Sequence, residues 1–306
     1  MRHLFTTRPG RDYLIGFAFI LIMVGLATYQ QDYEIILPEI GALTTGTWIY
    51  RKAAWINQPV KIFLAPTGTA IIGFLVNQLA LGYAVKVYLT LLLILVLLSI
   101  LRSTLAPSFA TGLLPIIVNA THWVFIVAIV VFTASLMIGV FLQGTYRQTA
   151  PAPKLQWPTM LGFMLAATLW IGVVWRIDQP QMAGIPPVLV VFFEVAQLPT
   201  YSGKLAIKHI IALSGAATLG VVSYYLLGTW LLATLISLPL VFIMLSLLNL
   251  KLPAAYAFPL LALVLPTNMF HGLPLTASLA AIFFLGTVYL YKQVMNRLSW
   301  TSENES

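Results

Sequence analysis

Apolar residues run through this chain in long unbroken stretches, without the regular polar interruptions of a soluble domain. "YLIGFAFILIMVGLATY" (13–29), "VYLTLLLILVLLSIL" (87–101), "HWVFIVAIVVFTASLMIGVFL" (122–142) and "TMLGFMLAATLWIGVVW" (159–175) carry no charge. A helix needs about 20 apolar residues to cross a bilayer, and strands of a membrane barrel would alternate polar with apolar. The pattern predicts an all-α polytopic membrane protein. Two shorter segments are less regular. "EIILPEIGALTTGTWIY" (34–50) holds Pro38 and Glu39, and "TLAPSFATGLLPIIVNA" (104–120) holds Pro107 and Pro115. Each reads either as a re-entrant half-helix or as a short, irregular crossing.

The basic residues separate the two readings. If these segments and their later counterparts do not cross, eight spans remain and the sixteen Lys and Arg divide evenly between the two sides. If all of them cross, only Lys86 and Arg176 lie on one side, with Asp32, Glu34 and Asp178, and the other fourteen basic residues lie opposite. Short cytoplasmic loops collect Lys and Arg. The charge pattern therefore favours twelve crossing segments with both termini cytoplasmic.

Twelve segments divide into six and six. The boundaries predicted are a first membrane repeat at 1–143, a polar linker at 144–158 and a second membrane repeat at 159–306. An even number of spans per half makes the repeats parallel, related by an axis along the membrane normal. The sequence carries traces of such a duplication. "KIFLAPTGTAIIG" (61–73) returns as "KHIIALSGAATLG" (208–220), with Lys, Ala, Gly, Ala and Gly identical at a spacing of 147. "LRSTLAPSFATGLL" (101–114) aligns with "LNLKLPAAYAFPLL" (248–261) at the same spacing. Gly16-Phe17 meets Gly162-Phe163 at 146, and Pro38 meets Pro186 at 148.

Composition narrows the chemistry. The chain is 60% hydrophobic and 8% charged, against roughly 25% charged in soluble domains. The net charge of +8 is accounted for by residues capping the cytoplasmic ends of spans. There is no basic face with interleaved aromatics, so nucleic acid is not an expected partner. Cysteine is absent, and His3, His122, His209 and His271 form no ligand spacing, so no metal or other cofactor is expected. The first apolar run is longer than a signal-peptide core and lacks a small-x-small cleavage site, which makes it the first span. No phosphate-binding loop is present. No H-E-x-x-H, D-x-x-D or Ser/His/Asp set is present either, which argues against an enzyme.

Candidate functional residues follow from depth and repeat position. Glu39 and Glu194 are the two acids placed within spans, where carboxylates are rare and carry protons or pair. Both are proton-coupling candidates, with an interfacial or salt-bridged role as the alternative. Lys61 and Lys208 stand where the chain enters the membrane. They attract an anion or serve as snorkelling anchors. Pro66 predicts a break in its helix, with Thr67, Gly68 and Thr69 beside it; Ser214 and Gly215 repeat Thr67 and Gly68. These are substrate-binding candidates, with close small-residue packing as the alternative. Pro107, capped by Thr104, predicts a helix N-terminus whose free N–H groups face an anion. Ser108 and Thr111 add hydroxyls there, and Tyr256 takes the place of Phe109 in the second half. Asn77-Gln78, Asn119, His209 and Asn268 are polar candidates of lower rank.

"PEIGALTTGTWIY" (38–50), "NQPVKIFLAPTGTAIIGFLV" (57–76) and "RSTLAPSFATGLLPIIV" (102–118) resemble the HPP family of integral membrane proteins. That family has a hallmark H-P-P-A-x-A-T segment. Here the position reads Leu105-Ala106-Pro107-Ser108-Phe109-Ala110-Thr111, which keeps the second Pro and the Ala-Thr but not the His. The resemblance spans about residues 38–142 and implies transport of a small anion. Lys61 before Gly68-Thr69 and Gly73 is also similar to the membrane domains of fusaric-acid-resistance and aromatic-acid exporters, although their long cytoplasmic region has no counterpart. The expected function is a secondary transporter of a small organic or inorganic anion, with proton coupling, in the cell membrane. The expected partners are lipid, the anion, and a second copy or partner subunit. A scaffold or subunit without a substrate of its own is the alternative.

Overall fold

The fold is seen in a computed structural model that describes residues 8–144, 146, 157–179 and 182–304. The linker expected at 144–158 lies almost wholly outside the described residues, as do Arg2, His3, Arg147 and Lys154. Every regular element among the described residues is helical. In chain order these are α1 (Arg8–Gln30), α2 (Pro38–Thr44), α3 (Ala53–Ile56), α4 (Pro59–Asn77), α5 (Tyr83–Leu101), α6 (Ser108–Ile117) and α7 (Val124–Gln143). They are followed by α8 (Trp157–Arg176), α9 (Pro186–Ala196), α10 (Gly203–Leu227), α11 (Trp230–Leu247), α12 (Ala257–Val264), α13 (Thr267–Phe270) and α14 (Leu273–Asn304). Eight of them, α1, α4, α5, α7, α8, α10, α11 and α14, are long and apolar enough to span a membrane. The chain is a multi-pass α-helical membrane protein.

The short helices form the centre. α2 continues through a π-turn (Thr45–Ile49), and α12 is preceded by a 3-10 turn (Pro253–Tyr256). Residues 38–47, 103–118, 185–193 and 252–264 are buried along their whole length, while the long helices expose leucines, isoleucines and valines outward. α2 packs on α12 and its preceding turn, and α6 packs on α9. Proline opens α2, α9 and the turn before α12, where its missing N–H costs nothing.

Contacts at the helix ends fix the direction of each short segment. Arg51, just past the π-turn, pairs with Asp12 at the start of α1 at 2.6 Å. Before α2, buried Glu34 accepts from the backbone N–H groups of Thr121 and His122 ahead of α7. The α2 segment therefore runs from the far end of α1 back to its beginning. Lys61 donates to the Arg102 carbonyl before α6 at 2.7 Å, and Asn77 donates to Ala120 after α6 at 3.1 Å. Thus the segment that contains α6 also runs from one end of the bundle to the other. Glu194, at the end of α9, meets Lys52 at 2.7 Å. These contacts gather Asp12, Arg51, Lys52, Lys61, Arg102 and Glu194 on one face, the basic face. Asp32, Glu34, Asn77, Lys86 and Asn119 lie on the opposite one.

The short helices α2, α6, α9 and α12 cover about 10–17 Å at 1.5 Å per residue, roughly a third to a half of a ~30 Å hydrocarbon core. The remainder of each traverse is irregular chain. Irregular backbone at such depth is tolerated where protein surrounds it or a cavity is lined.

Two local expectations are corrected. α4 runs unbroken through Pro66: Thr69 Oγ1 bonds back to the Ala65 and Pro66 carbonyls, and packed neighbours hold the helix. Thr104 does not cap α6. Pro107 occupies the cap with no side-chain hydrogen bond, and the Thr104 hydroxyl is left without a partner.

Helix contacts in the two halves match at intervals near 147. A Cβ on Gly68 would meet Leu97 at 2.8 Å, and one on Gly215 would meet Met244 at 2.5 Å. Gly73 lies against the Gly112 carbonyl, and Gly220 against Phe258 and Pro259. Lys208 donates to the Leu248 carbonyl at 2.7 Å, as Lys61 does to Arg102. The bonds closing α1 and α8, Asp32 N to Ala27 O and Gln179 N to Val174 O, lie 147 residues apart, with Gln31 and Asp178 both at positive φ.

Candidate functional site

The centre of the bundle holds buried polar atoms that no other residue among the described ones satisfies. Glu39, in the first turn of α2, is fully buried. Among the described residues no other residue donates to either of its oxygens; the donor acting on it is its own backbone N–H. On the same helix the buried Thr44 hydroxyl has no partner. On α6, which packs against α2, the Ser108 hydroxyl is buried without a partner, and Thr104 precedes it in the same condition. An unmet buried polar group costs about 1–3 kcal/mol. Four such residues lie on two adjoining short segments, which leaves hydrogen-bonding capacity unused at the centre of the bundle.

Depth strengthens the point. Glu39 lies ten residues before Ile49 and the basic face, about 15 Å along the helix. Ser108 lies eleven residues before Asn119 and the opposite face, about 16 Å. Both therefore stand near mid-membrane, at the starts of helices that run to opposite faces. Helix starts carry partial positive charge and free N–H groups.

The remaining predicted residues divide. Thr111 bonds Thr69 at 2.6 Å and the Ser108 carbonyl at 3.0 Å, so both are buried beside the central pair but already partnered. Thr67 reaches Thr133 at 3.4 Å. Gly68 and Gly215 meet the side chains Leu97 and Met244, and Ser214 has a shielded hydroxyl without a partner. The Tyr256 hydroxyl shares a bond of 3.2 Å with Tyr50. Glu194 is ion-paired to Lys52 near the basic face, away from Glu39's depth. His209 is satisfied by Tyr201 at 3.0 Å.

Lys61 and Lys208 direct their ammonium groups at carbonyls ending neighbouring helices, Arg102 O after α5 and Leu248 O after α11. Lys86 does the same to Asn77 O at the end of α4, at 2.6 Å. Cations at helix C-termini offset unsatisfied carbonyls and the dipole. Lys61→Met is accordingly expected to lower stability by about 0.5–1 kcal/mol while leaving the half-saturating anion concentration within twofold. Thermal melting and initial uptake rates of the purified variant check both.

A polar-lined cavity lies on the face opposite the basic one. A cavity of about 390 Å³ is lined by Asn77, Tyr83, Lys86, Asn119 and Asn268 among others. It shares Ile117, Asn268 and Met269 with a second cavity of about 70 Å³ that reaches Pro186, the start of α9, and Leu261. None of the twelve predicted site residues lines either cavity. Asn77, Asn119 and Asn268 were visible as polar residues in apolar sequence. Lys86 had a sharper signal, as one of two cations on the acid-rich side. Thr104 was legible only as a cap, and Thr44 and the unpartnered, shielded hydroxyl of Tyr83 had no signal, because a hydroxyl in a helix usually bonds its own backbone.

No protein-family model matches the chain, and no curated protein or solved structure matches it, so the likeness to the HPP family rests on the quoted residues alone.

Proposed function

We propose that this protein is a secondary transporter, not an enzyme, and that it moves a small anion between its two halves with a proton carried by Glu39. The observation that carries the reading is the buried Glu39 carboxyl, with no donor from another residue, on a short helix packed against the one that carries the unpartnered Ser108 hydroxyl. A static structural role would be expected to satisfy such groups. A carrier leaves them open for the substrate and the proton. Supporting it are the polar vestibule around Lys86 and the helix starts that converge at the centre.

We read the fold as two parallel repeats of six segments. Both halves follow the order long, short, long, long, short, long, and the matching contacts near a 147-residue interval support it. On that count Asp178 takes the place of Gln31, and Phe163 takes the place of Gly16. The one-residue difference from the 146 spacing in the sequence arises because hydrogen bonds, not glycine identities, set the register. The excess of Lys and Arg on one face supports cytoplasmic termini.

The test is uptake into proteoliposomes of nitrite and of small and aromatic carboxylates, with and without a pH gradient. Uptake of at least one anion that follows the gradient is expected. No flux of any of them by folded protein would turn the reading to a scaffold or partner subunit.

A further inference from the structure

The two halves differ at one place in a way that exposes a second binding site. In the first half, Trp48 at the end of the α2 segment fills the gap between α1 and α7. Its ring lies 4.8 Å from Phe19, its indole N–H donates to the Leu136 carbonyl at 3.0 Å, and it presses on Gly139. Counted from Pro38 and Pro186, the residue in Trp48's place is Ala196. Counted from the bonds that close α1 and α8, the residue in Phe19's place is Ala166. Two aromatic side chains are thus replaced by two methyl groups. The space they leave is a groove of about 390 Å³ between α8, α9 and α14, lined by both alanines with Phe163, Phe192, Val288 and Tyr291.

We infer that this groove holds the acyl chain of an anionic phospholipid, a reading that rests on the duplication proposed above. Its outer wall is Leu161 and Leu165, which are 62% and 66% exposed, so it opens sideways where lipid chains lie. At its basic-face end stands Lys292, which lines the groove and sits 5.8 Å from the Tyr291 ring. Lys292 has no ion pair or hydrogen bond among the described residues. Unlike Lys61, Lys86 and Lys208, it is free to meet a phosphate at headgroup depth, and that free charge selects an acidic headgroup over a zwitterionic one.

The experiment is native mass spectrometry of the full chain, delipidated in detergent and given phosphatidylglycerol or phosphatidylcholine of identical chains. Wild type is expected to retain one phosphatidylglycerol at least tenfold better than phosphatidylcholine. Lys292→Gln removes that preference. Ala196→Trp rebuilds the first half's plug and lowers retention at least tenfold. Gly162→Leu narrows the groove from a position with nothing within 4 Å of a new Cβ, and is expected to lower retention likewise, with thermal melting of the variant checking that it folds. Retention unchanged in both Ala196→Trp and Gly162→Leu overturns the site, and equal retention of the two lipids by wild type overturns the headgroup assignment. Trp48→Ala is expected to open a matching groove and add a second lipid. If it adds none while Ala196→Trp still expels the first, the duplication count fails and the site stands. Because binding is read in detergent without flux, loss of transport does not affect the result.

Discussion

Glu39→Gln is expected to cut anion uptake at least tenfold and to make the residual flux indifferent to a pH gradient, with the protein still folded. Glutamine keeps the size and a carbonyl oxygen but cannot exchange a proton. A tenfold loss corresponds to about 1.4 kcal/mol in the barrier. Glu39→Met separates function from stability. Methionine fills nearly the same volume and has no polar oxygen to strand, so the two unmet carboxyl oxygens disappear. The protein is expected to gain about 1–3 kcal/mol, read as a melting temperature higher by several degrees, while uptake is lost. Functional sites are places where stability is given up, and a gain in one with a loss in the other identifies Glu39 as such a group. Gradient-driven uptake at the wild-type rate in Glu39→Gln would remove the proton-carrying role. A drop in melting temperature in Glu39→Met would mean that the carboxyl is structurally satisfied after all.

Much of the membrane architecture was legible because charge and length are blunt signals. The apolar runs marked the long helices, eight of which the structure shows; the Lys and Arg count favoured crossing short segments, and the contacts of Arg51 with Asp12 and of Asn77 with Ala120 are compatible with that direction. The site was legible only in part. Glu39 and Ser108 stood out as candidates because a carboxylate, or a hydroxyl after proline, is unusual at that depth. Glu194 looked equivalent in sequence, but its depth depends on where α9 ends, and there Lys52 meets it. Lys61 and Lys208 recur because each closes the end of a neighbouring helix, a contact across 40 or 41 residues that no local pattern reveals. Pro66 misled because a helix whose proline is buried against packed neighbours can keep it, where an isolated helix would break. The groove at Ala166 and Ala196 was hidden for a different reason. It is defined by what two small residues leave unfilled, and only the comparison with Phe19 and Trp48 gives that space a meaning.

Gly73→Ala and Gly220→Ala are expected to be the most damaging substitutions of their size in the chain. These glycines close the phrase that occurs twice, and in both copies the helix bearing them presses on a short central segment. At Gly73 an added methyl would occupy the position of the Gly112 carbonyl oxygen. Backbone cannot rotate away as a side chain can, so α4 and α6 would have to part. At Gly220 the methyl would lie 2.7 Å from the Pro259 Cα and 3.1 Å from the Phe258 carbonyl oxygen. Overpacking of this kind costs about 1–3 kcal/mol, and the backbone contact at Gly73 puts that variant at the upper end. Helices in lipid associate largely through such close approaches, so the loss falls on the seating of the short helices that hold Glu39 and Ser108. Gly25→Ala is the matched control. Nothing lies within 4 Å of its new Cβ, and within α1 the change is expected to stabilise by about 0.5–1 kcal/mol. Thermal melting of the three purified variants, with the yield of monodisperse protein, reads the order directly. Gly73→Ala melting at or above Gly25→Ala would mean that α4 and α6 are not in contact at that point.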